Sequence, residues 1–374
     1  RAREYADPVI VHVITQKGRG YTPAENHVAD RFHAVGRIHP ETGLPVVPER
    51  FGWTAVFAEE IVSLARADER IVAITAAMQQ PVGLQPLADA MPERVIDVGI
   101  AEQHALTSAA GMAYAGLHPV VALYATFLNR AFDQVLMDVG LHGAGVTIVL
   151  DRAGLTGTDG ASHNGMWDMA LFCLVPGLRL AAPRDERTLR EALRTAVGVD
   201  DGPTIVRYPK GALPGPLPEV RTVGDDGDEG PFGAVDVLLE AAGEGPGGPL
   251  LLVGVGAMVP ATLEAGRALV ARGEAVTVAC PRWVVPVPRA LVDLAASARG
   301  VVVVEDGLVE GGVGSRLRDA LEDGAAGGGA RPVVARVGVP RRFVATAERS
   351  QLLADFGMDA AGIERTALGL GRRS

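Results

Sequence analysis

RVIDVGIAEQHALTSAAGMAYAGLHPVVALY, residues 94–124, decides how this chain folds. Its first apolar run, RVIDVG, has the make-up of a buried strand, and a helix of small residues follows from Ala101 to about Ala115. PVVALY then forms a second strand. Two strands joined through a helix lie parallel, because a tight hairpin cannot make that connection.

Working outward, the same alternation continues on both sides. RIVAIT, VTIVL, LRLAA and TIVRY read as further strands. Helical spacing appears from Phe51 through Val56, Phe57, Ile61 and Leu64, again from Phe127 to about Val139, and over 185–197. Apolar strands separated by helices imply a parallel sheet covered on both faces, here over residues 48–213. Residues 214–230, rich in Pro, Gly and Asp, read as a linker. A second alternating unit occupies 231–374, with strands PLLLVGVG, AVTVAC, GVVVVED and RPVVARVG. Residues 1–47 are different. PVIVHVIT, 8–15, reads as a buried strand, but one strand and a polar tail form no core, so this segment is expected to complete a sheet made elsewhere or to pack on the next domain. The fold class is therefore α/β, with two doubly wound sheet domains and a remnant of a third at the start.

Composition narrows the function classes. The net charge is −10 with no basic run, which argues against a nucleic-acid or polybasic membrane surface. No apolar run reaches the roughly 18 residues needed to span a bilayer. Cys173 and Cys280 lack metal-type spacing, and a reducing, cytoplasmic compartment is expected.

Several polar residues fall just past the ends of expected strands. Glu102 follows VIDVG, Tyr124 closes VVALY, Asp151 and Arg152 follow TIVL, and Arg207 ends TIVR. In open parallel sheets that edge binds ligands. Phe127 and Arg130, three apart on a helix, can face the same crevice. The loop 153–165, AGLTGTDGASHNG, carries Asp159 and His163 among four glycines, which allow backbone to approach a ligand closely.

Three alternatives fail on these residues. Asp159, His163 and Asp168 lack a second histidine at ligand spacing, so no metal centre is expected in this domain. A Gly-x-Ser-x-Gly nucleophile turn is absent. GVGAMVPA, 254–261, has Val259 where a dinucleotide fingerprint needs its third glycine, and reads as a tight strand-to-helix turn.

Taken together, KGRGY (17–21), DRFHAVG (30–36), TAAM (75–78), DVGIAEQHA (97–105), YATFLNRAFDQV (124–135), DRAGLTGTDGASHNG (151–165), VRYPKG (206–211) and EDG (305–307) resemble the transketolase-like thiamine-diphosphate enzymes. Within them the resemblance is to the branch that condenses pyruvate with D-glyceraldehyde 3-phosphate and releases carbon dioxide. It implies that 1–47 is the tail of a diphosphate-binding domain, 48–213 a pyrimidine-binding domain and 231–374 a transketolase C-terminal domain, whose main work is architecture and dimerisation. It implies further that Glu102 hydrogen-bonds a ring nitrogen of the cofactor's aminopyrimidine, that Phe127 stacks on that ring and that Tyr21 contacts the cofactor. His33 and His163 would lie near the reacting carbonyls. Arg152 and Arg207 would take the acceptor phosphate, for which guanidinium forks are suited, and Tyr124, Arg130 and Asp159 would line the substrate pocket. A homodimer is implied as well.

Departures from the family are equally informative. The Gly-Asp-Gly segment and downstream Asn that hold Mg2+ and the diphosphate are absent, as is the Gly-His-Ser loop, and PVGL (81–84) stands where many relatives have Gly-Thr-Gly-Leu. With Arg1 entering mid-domain, the expectation is a portion of a longer synthase. The alternatives are one subunit of a split transketolase, a 2-oxo acid dehydrogenase beta-type subunit, or an inactive dimerisation or binding module.

Overall fold

The computed structural model describes residues 2–27, 31–32, 35, 37–44, 46, 52–243, 248–323 and 331–370. The chain falls into two compact units, Arg1–Arg50 and Phe51–Ser374.

The first unit overturns one expectation. Residues 8–15 form no strand, and Ile10 and Ile14 are 92% and 88% exposed. A strand exists only through its ladder, and no described segment supplies one here. What order the unit has is local. Tyr21 donates its O–H to the carbonyl of Pro40 at 2.7 Å, and Glu25 accepts from the amide of Gly20 at 2.9 Å, closing the turn before the helix Thr22–Glu25.

The second unit holds two sheets. The first is built from β1 (Ile71–Thr75), β2 (Val95–Asp97), β3 (His118–Tyr124), β4 (Thr147–Asp151), β5 (Arg179–Ala181) and β6 (Thr204–Arg207). These six are parallel to their neighbours, in the order β5-β6-β4-β3-β1-β2. From β1 the chain steps one way to β2 and returns on the other side as β3, so the strand order reverses at β1. Ile74, Val121, Ile148 and Ile205 are fully buried along its middle, which is why these strands read as unbroken apolar runs.

The second sheet contains β7 (Arg221–Val223), β8 (Val235–Ala241), β9 (Leu250–Gly254), β10 (Val276–Pro281), β12 (Gly300–Leu308) and β13 (Val333–Val339), ordered β13-β12-β9-β10-β8-β7. Its parallel part, β13-β12-β9-β10, carries an antiparallel edge of β8 and β7. Two departures from the sequence reading follow. β7 lies inside the expected linker, and β11 (Trp283–Val285) leaves the second sheet to pair antiparallel with β5 of the first. The sheets are thus stitched together by a strand three residues long. The expected helix from Phe127 is also irregular, with a 3-10 turn at Asn129–Ala131 and a π-helical stretch at Val135–Gly140.

Near the end of β12 a carboxylate is buried outright. Glu305 is 0% exposed and accepts from the amides of Val313 and Gly314, at 2.7 and 3.0 Å, at the start of the helix Val313–Asp323. Those amides favour its charge, but burial dominates and pushes its pKa from 4.5 up to about 7. Between those values the folded chain binds more protons than the unfolded one, so stability falls as pH rises through that window. The full penalty, at most on the order of 3 kcal/mol, is present above about pH 7. Glu305→Gln cannot titrate. Relative to this variant, the native chain should lose urea stability between pH 5 and pH 8; parallel pH curves would refute the burial argument.

Candidate active site

Thr75, Asp97, Tyr124, Asp151 and Arg207 close β1, β2, β3, β4 and β6. All five strands run the same way, so these residues share one edge of the sheet. Because the strand order reverses at β1, that edge opens into a crevice.

Glu102 is the first residue of the helix Glu102–Tyr114, whose N-cap, Ala101, provides no side-chain hydrogen bond. It is 2% exposed, and its contact with another side chain is a long one, 3.5 Å from Oε2 to Nη1 of Arg130, itself 58% exposed. A carboxylate so placed has acceptor capacity to offer a ligand. Its approach is fixed by Asp97, which the sequence reading left without a role. Asp97 Oδ1 accepts from the amides of Ala77 at 2.7 Å and Gly99 at 2.9 Å. Both residues have positive φ, 59° and 72°, so one carboxylate oxygen holds two left-handed backbone positions, one just after β1 and one three residues before Glu102. For Ala77, which carries a Cβ, that conformation stores strain.

Next to this lies an aromatic and cationic layer. Tyr124 and Phe127 stack with centroids 5.8 Å apart and planes at 13°, and His163 meets Phe127 edge-on at 5.7 Å. The Arg152 guanidinium sits over the Tyr124 ring, 4.1 Å from its centroid, a cation–π contact strengthened by partial burial. Nη1 of Arg152 reaches Asp151 Oδ2 at 2.8 Å and donates to the carbonyl of Pro81 at 3.1 Å. Arg152 takes φ of 58° to do so. Asp151 is 1% exposed, and Thr54 donates to its Oδ2 at 2.7 Å. Burial pushes the Asp151 carboxyl up, while Arg152 and Thr54 pull it down. Asp151 Oδ1 and the Tyr208 hydroxyl are buried without a partner among the described residues. PVGL thus contributes a backbone carbonyl to the crevice, with its Pro81 holding Arg152.

Arg207 stands opposite Leu150 in the β4–β6 ladder and is 3% exposed. Its Nε donates to Asp168 Oδ2 at 2.6 Å and its Nη2 to the carbonyl of Asp306 at 2.9 Å. The phosphate role expected of Arg207 therefore rests on the remaining Nη1, since a buried ion pair holds the rest of the fork. Asp159 pairs with Lys210 at 2.6 Å, and His163 Nδ1 lies 3.0 Å from the Ser162 hydroxyl.

The structure thus brings Glu102, Arg130, Tyr124, Phe127, Arg152 and His163 together. Tyr21 belongs to the first unit, and His33 lies outside the described residues. Asp97, Thr54, Lys210, Asp306 and Arg349 were missed; Asp97, Lys210 and Asp306 fall inside stretches whose sequence drew notice, Thr54 and Arg349 do not. Among the described residues no group of three or more His, Cys, Asp or Glu could hold a metal ion, and no helix there is long and apolar enough to cross a membrane. Chemically, the crevice offers a buried acceptor beside a flat aromatic stack, with a fixed guanidinium to one side.

Comparison with known proteins gives the site a family. Residues 49–216 match the transketolase pyrimidine binding domain, and residues 240–363 match the transketolase C-terminal domain. The chain is 54% identical over 370 residues to 1-deoxy-D-xylulose-5-phosphate synthase 2 of Streptomyces avermitilis, covering 99% of this chain and 55% of that protein. Identity to the synthase of Clavibacter sepedonicus is also 54%, covering 98% and 54%. The chain spans about half the length of the curated relatives it matches. Among solved structures, a split gene transketolase described as an inactive beta4 tetramer superposes with a TM-score of 0.70 at 27% identity, covering 84% of this chain and 96% of that one. Transketolase from Leishmania mexicana shares the fold with a TM-score of 0.69 at 20% identity, covering 89% and 47%. The chain belongs to the transketolase-like enzymes, in the family of the 1-deoxy-D-xylulose-5-phosphate synthases.

Proposed function

We propose that this chain provides the pyrimidine-binding and C-terminal portion of an enzyme that condenses pyruvate with D-glyceraldehyde 3-phosphate to 1-deoxy-D-xylulose 5-phosphate and carbon dioxide, the first step of the non-mevalonate isoprenoid route. Glu102 carries the proposal: a carboxylate 2% exposed at the crevice, with a contact of 3.5 Å to Arg130 as its closest side-chain partner.

Thiamine diphosphate, when bound, supplies a nucleophilic carbon that adds to the keto carbonyl, lets carbon dioxide leave and passes two carbons to the aldehyde. The residues here fit its aminopyrimidine end. Glu102 accepts a hydrogen bond from the protonated ring nitrogen, and burial makes that shared proton favourable because few waters compete for the carboxylate. Phe127 provides the flat apolar face. Arg152, pinned by Asp151 and Pro81, takes the acceptor phosphate, joined by Nη1 of Arg207. Tyr124, Arg130 and Asp159 line the substrate space, with His163 edge-on to Phe127 beside them. The Mg2+ and diphosphate fall to the Gly-Asp-Gly segment, which this sequence does not contain. The enzyme works in the cytoplasm.

A homodimer is part of this proposal. Tyr114, Met137 and Leu141, 57%, 45% and 66% exposed, lie on adjoining segments joined by the hydrogen bond from the Tyr114 hydroxyl to the Asp138 carbonyl. This is an apolar face that a second copy would cover. One other reading is favoured by a particular observation, the likeness to a split gene transketolase over nearly all of that chain. Turnover with a ketose donor, and none with pyruvate, would select it.

Three outcomes are expected of the catalytically complete enzyme. Glu102→Ala should slow hydrogen–deuterium exchange at the cofactor's thiazolium carbon, followed by NMR, by about two to four orders of magnitude with circular dichroism unchanged. Exchange at the native rate would remove Glu102 from the chemistry. Arg152→Ala should raise KM for glyceraldehyde phosphate roughly 10- to 100-fold while leaving KM for pyruvate within a few fold. Equal changes in both would rule out a phosphate contact. Light scattering should give the mass of two copies; a monomer would remove the dimer.

A further inference from the structure

The loop that follows β4 is anchored in the other domain at Leu155 and again at Met166. Leu155 and Met166, both 0% exposed, are packed in the hydrophobic cluster of the second sheet with Val304, Leu308, Val339 and Leu352. At the far end the Met166 carbonyl accepts from the amide of Leu308 in β12 at 3.0 Å. Between these anchors run Asp159 and His163, which the sequence and the aromatic layer tie to the crevice.

At the near end two side chains of the C-terminal domain hold the backbone of Leu155 from both sides. Asp306, 1% exposed, accepts from the Leu155 amide through Oδ1 at 3.0 Å. Arg349 donates from Nε to the Leu155 carbonyl at 2.9 Å and from Nη2 to Asp306 Oδ2. The ring closes on itself: carboxylate, amide, carbonyl, guanidinium. The glycines of the loop fit against it. Gly154 has φ of +75°, and a Cβ there would lie 2.1 Å from Asp306 Oδ2; at Gly157, with φ of +78°, a Cβ would come within 3.0 Å of the Arg349 amide. The Asp306 carbonyl also receives Arg207, so one residue of β12 touches both the loop and the strand end that carries the second arginine.

We propose that Asp306 and Arg349 are positioning residues for the reaction. They clamp the base of the loop so that Asp159 and His163 keep a fixed place at the crevice, which gives the C-terminal domain a part in the chemistry besides architecture. Lys210, paired with Asp159, steadies the loop's exposed side, but the clamp sets where the loop starts. The inference rests on the proposed condensation only for its kinetic readout.

The test uses Arg349→Ala, Arg349→Lys and Asp306→Asn in the catalytically complete enzyme. Lysine keeps a charge for Asp306 yet cannot serve Asp306 and the Leu155 carbonyl together as a fork does. Expected results are faster amide exchange across 156–163 by mass spectrometry and a tenfold or greater drop in kcat/KM for Arg349→Ala. The drop should be smaller for Arg349→Lys, cofactor affinity should stay within twofold of native, and added guanidinium should partly restore Arg349→Ala. If Arg349→Ala does not fold, the lysine and Asp306→Asn variants carry the test. Native exchange in the loop with kcat/KM within twofold of native overturns the inference, and so does a loss of kcat matched only by the unfolded fraction. If the native enzyme does not turn over pyruvate and glyceraldehyde phosphate, the functional proposal fails alone, and loop exchange still decides the clamp.

Discussion

Where the end of β6 meets β12, three charged side chains are shut away from water. Asp168, Arg207 and Asp306 are 1%, 3% and 1% exposed, and Arg349 closes the group from the side. Removing one partner of a buried pair strands the other, at a cost of about 3–5 kcal/mol. None of these groups can shift alone. The end of β6, the start of the helix Asp168–Phe172, β12 and the loop at Leu155 therefore form one frame, and the polar edge of the first sheet is set relative to that frame rather than to the sheet alone. The unusual pairing of β11 with β5 acts in the same direction, since it ties the two sheets by backbone hydrogen bonds on the opposite flank of β6.

The crevice shows a second, smaller version of the same constraint. Asp151 is buried beside Arg152, which it needs in order to stay charged, and Arg152 is held over Tyr124 by Asp151 and the Pro81 carbonyl. Moving Arg152 would leave a buried carboxylate with Thr54 alone. The left-handed backbone at Arg152 is a cost of about 1–3 kcal/mol that this arrangement offsets. A guanidinium so constrained loses little freedom when an anion arrives, and that is what a phosphate site requires.

The sequence was most legible where one periodicity governed a long stretch. β1, β3, β4 and β6 lie where the apolar runs put them, and the polar residues at their ends converge on one edge. It was misleading at 8–15, where an apolar run forms no strand and stays exposed. It was silent on β7 and β11, because a strand of three residues has no period to detect and takes its meaning from the strand it pairs with. The site divides in the same way. Glu102, Phe127 and Arg152 sit in local motifs. Thr54 and Arg349 are an ordinary helix threonine and an ordinary surface-type arginine until the fold brings them within 3 Å of Asp151 and the Leu155 carbonyl.

Gly154 shows why such a division cannot be removed by closer attention to local pattern. Within DRAG it reads as a flexible point in a glycine-rich loop, and its φ of +75° agrees. The stronger reason for glycine is a carboxylate about 150 positions later, whose oxygen occupies the place a Cβ would take. A methyl group there would displace Asp306, and with it both hydrogen-bonding groups of Leu155, the Arg349 contact and the carbonyl that receives Arg207. Local flexibility and distant packing thus require the same residue, and only the second makes the loop rigid. The boundary between the two matched domains falls between residues 216 and 240, but the boundary of the site does not. Its floor belongs to one sheet and the base of its loop to the other.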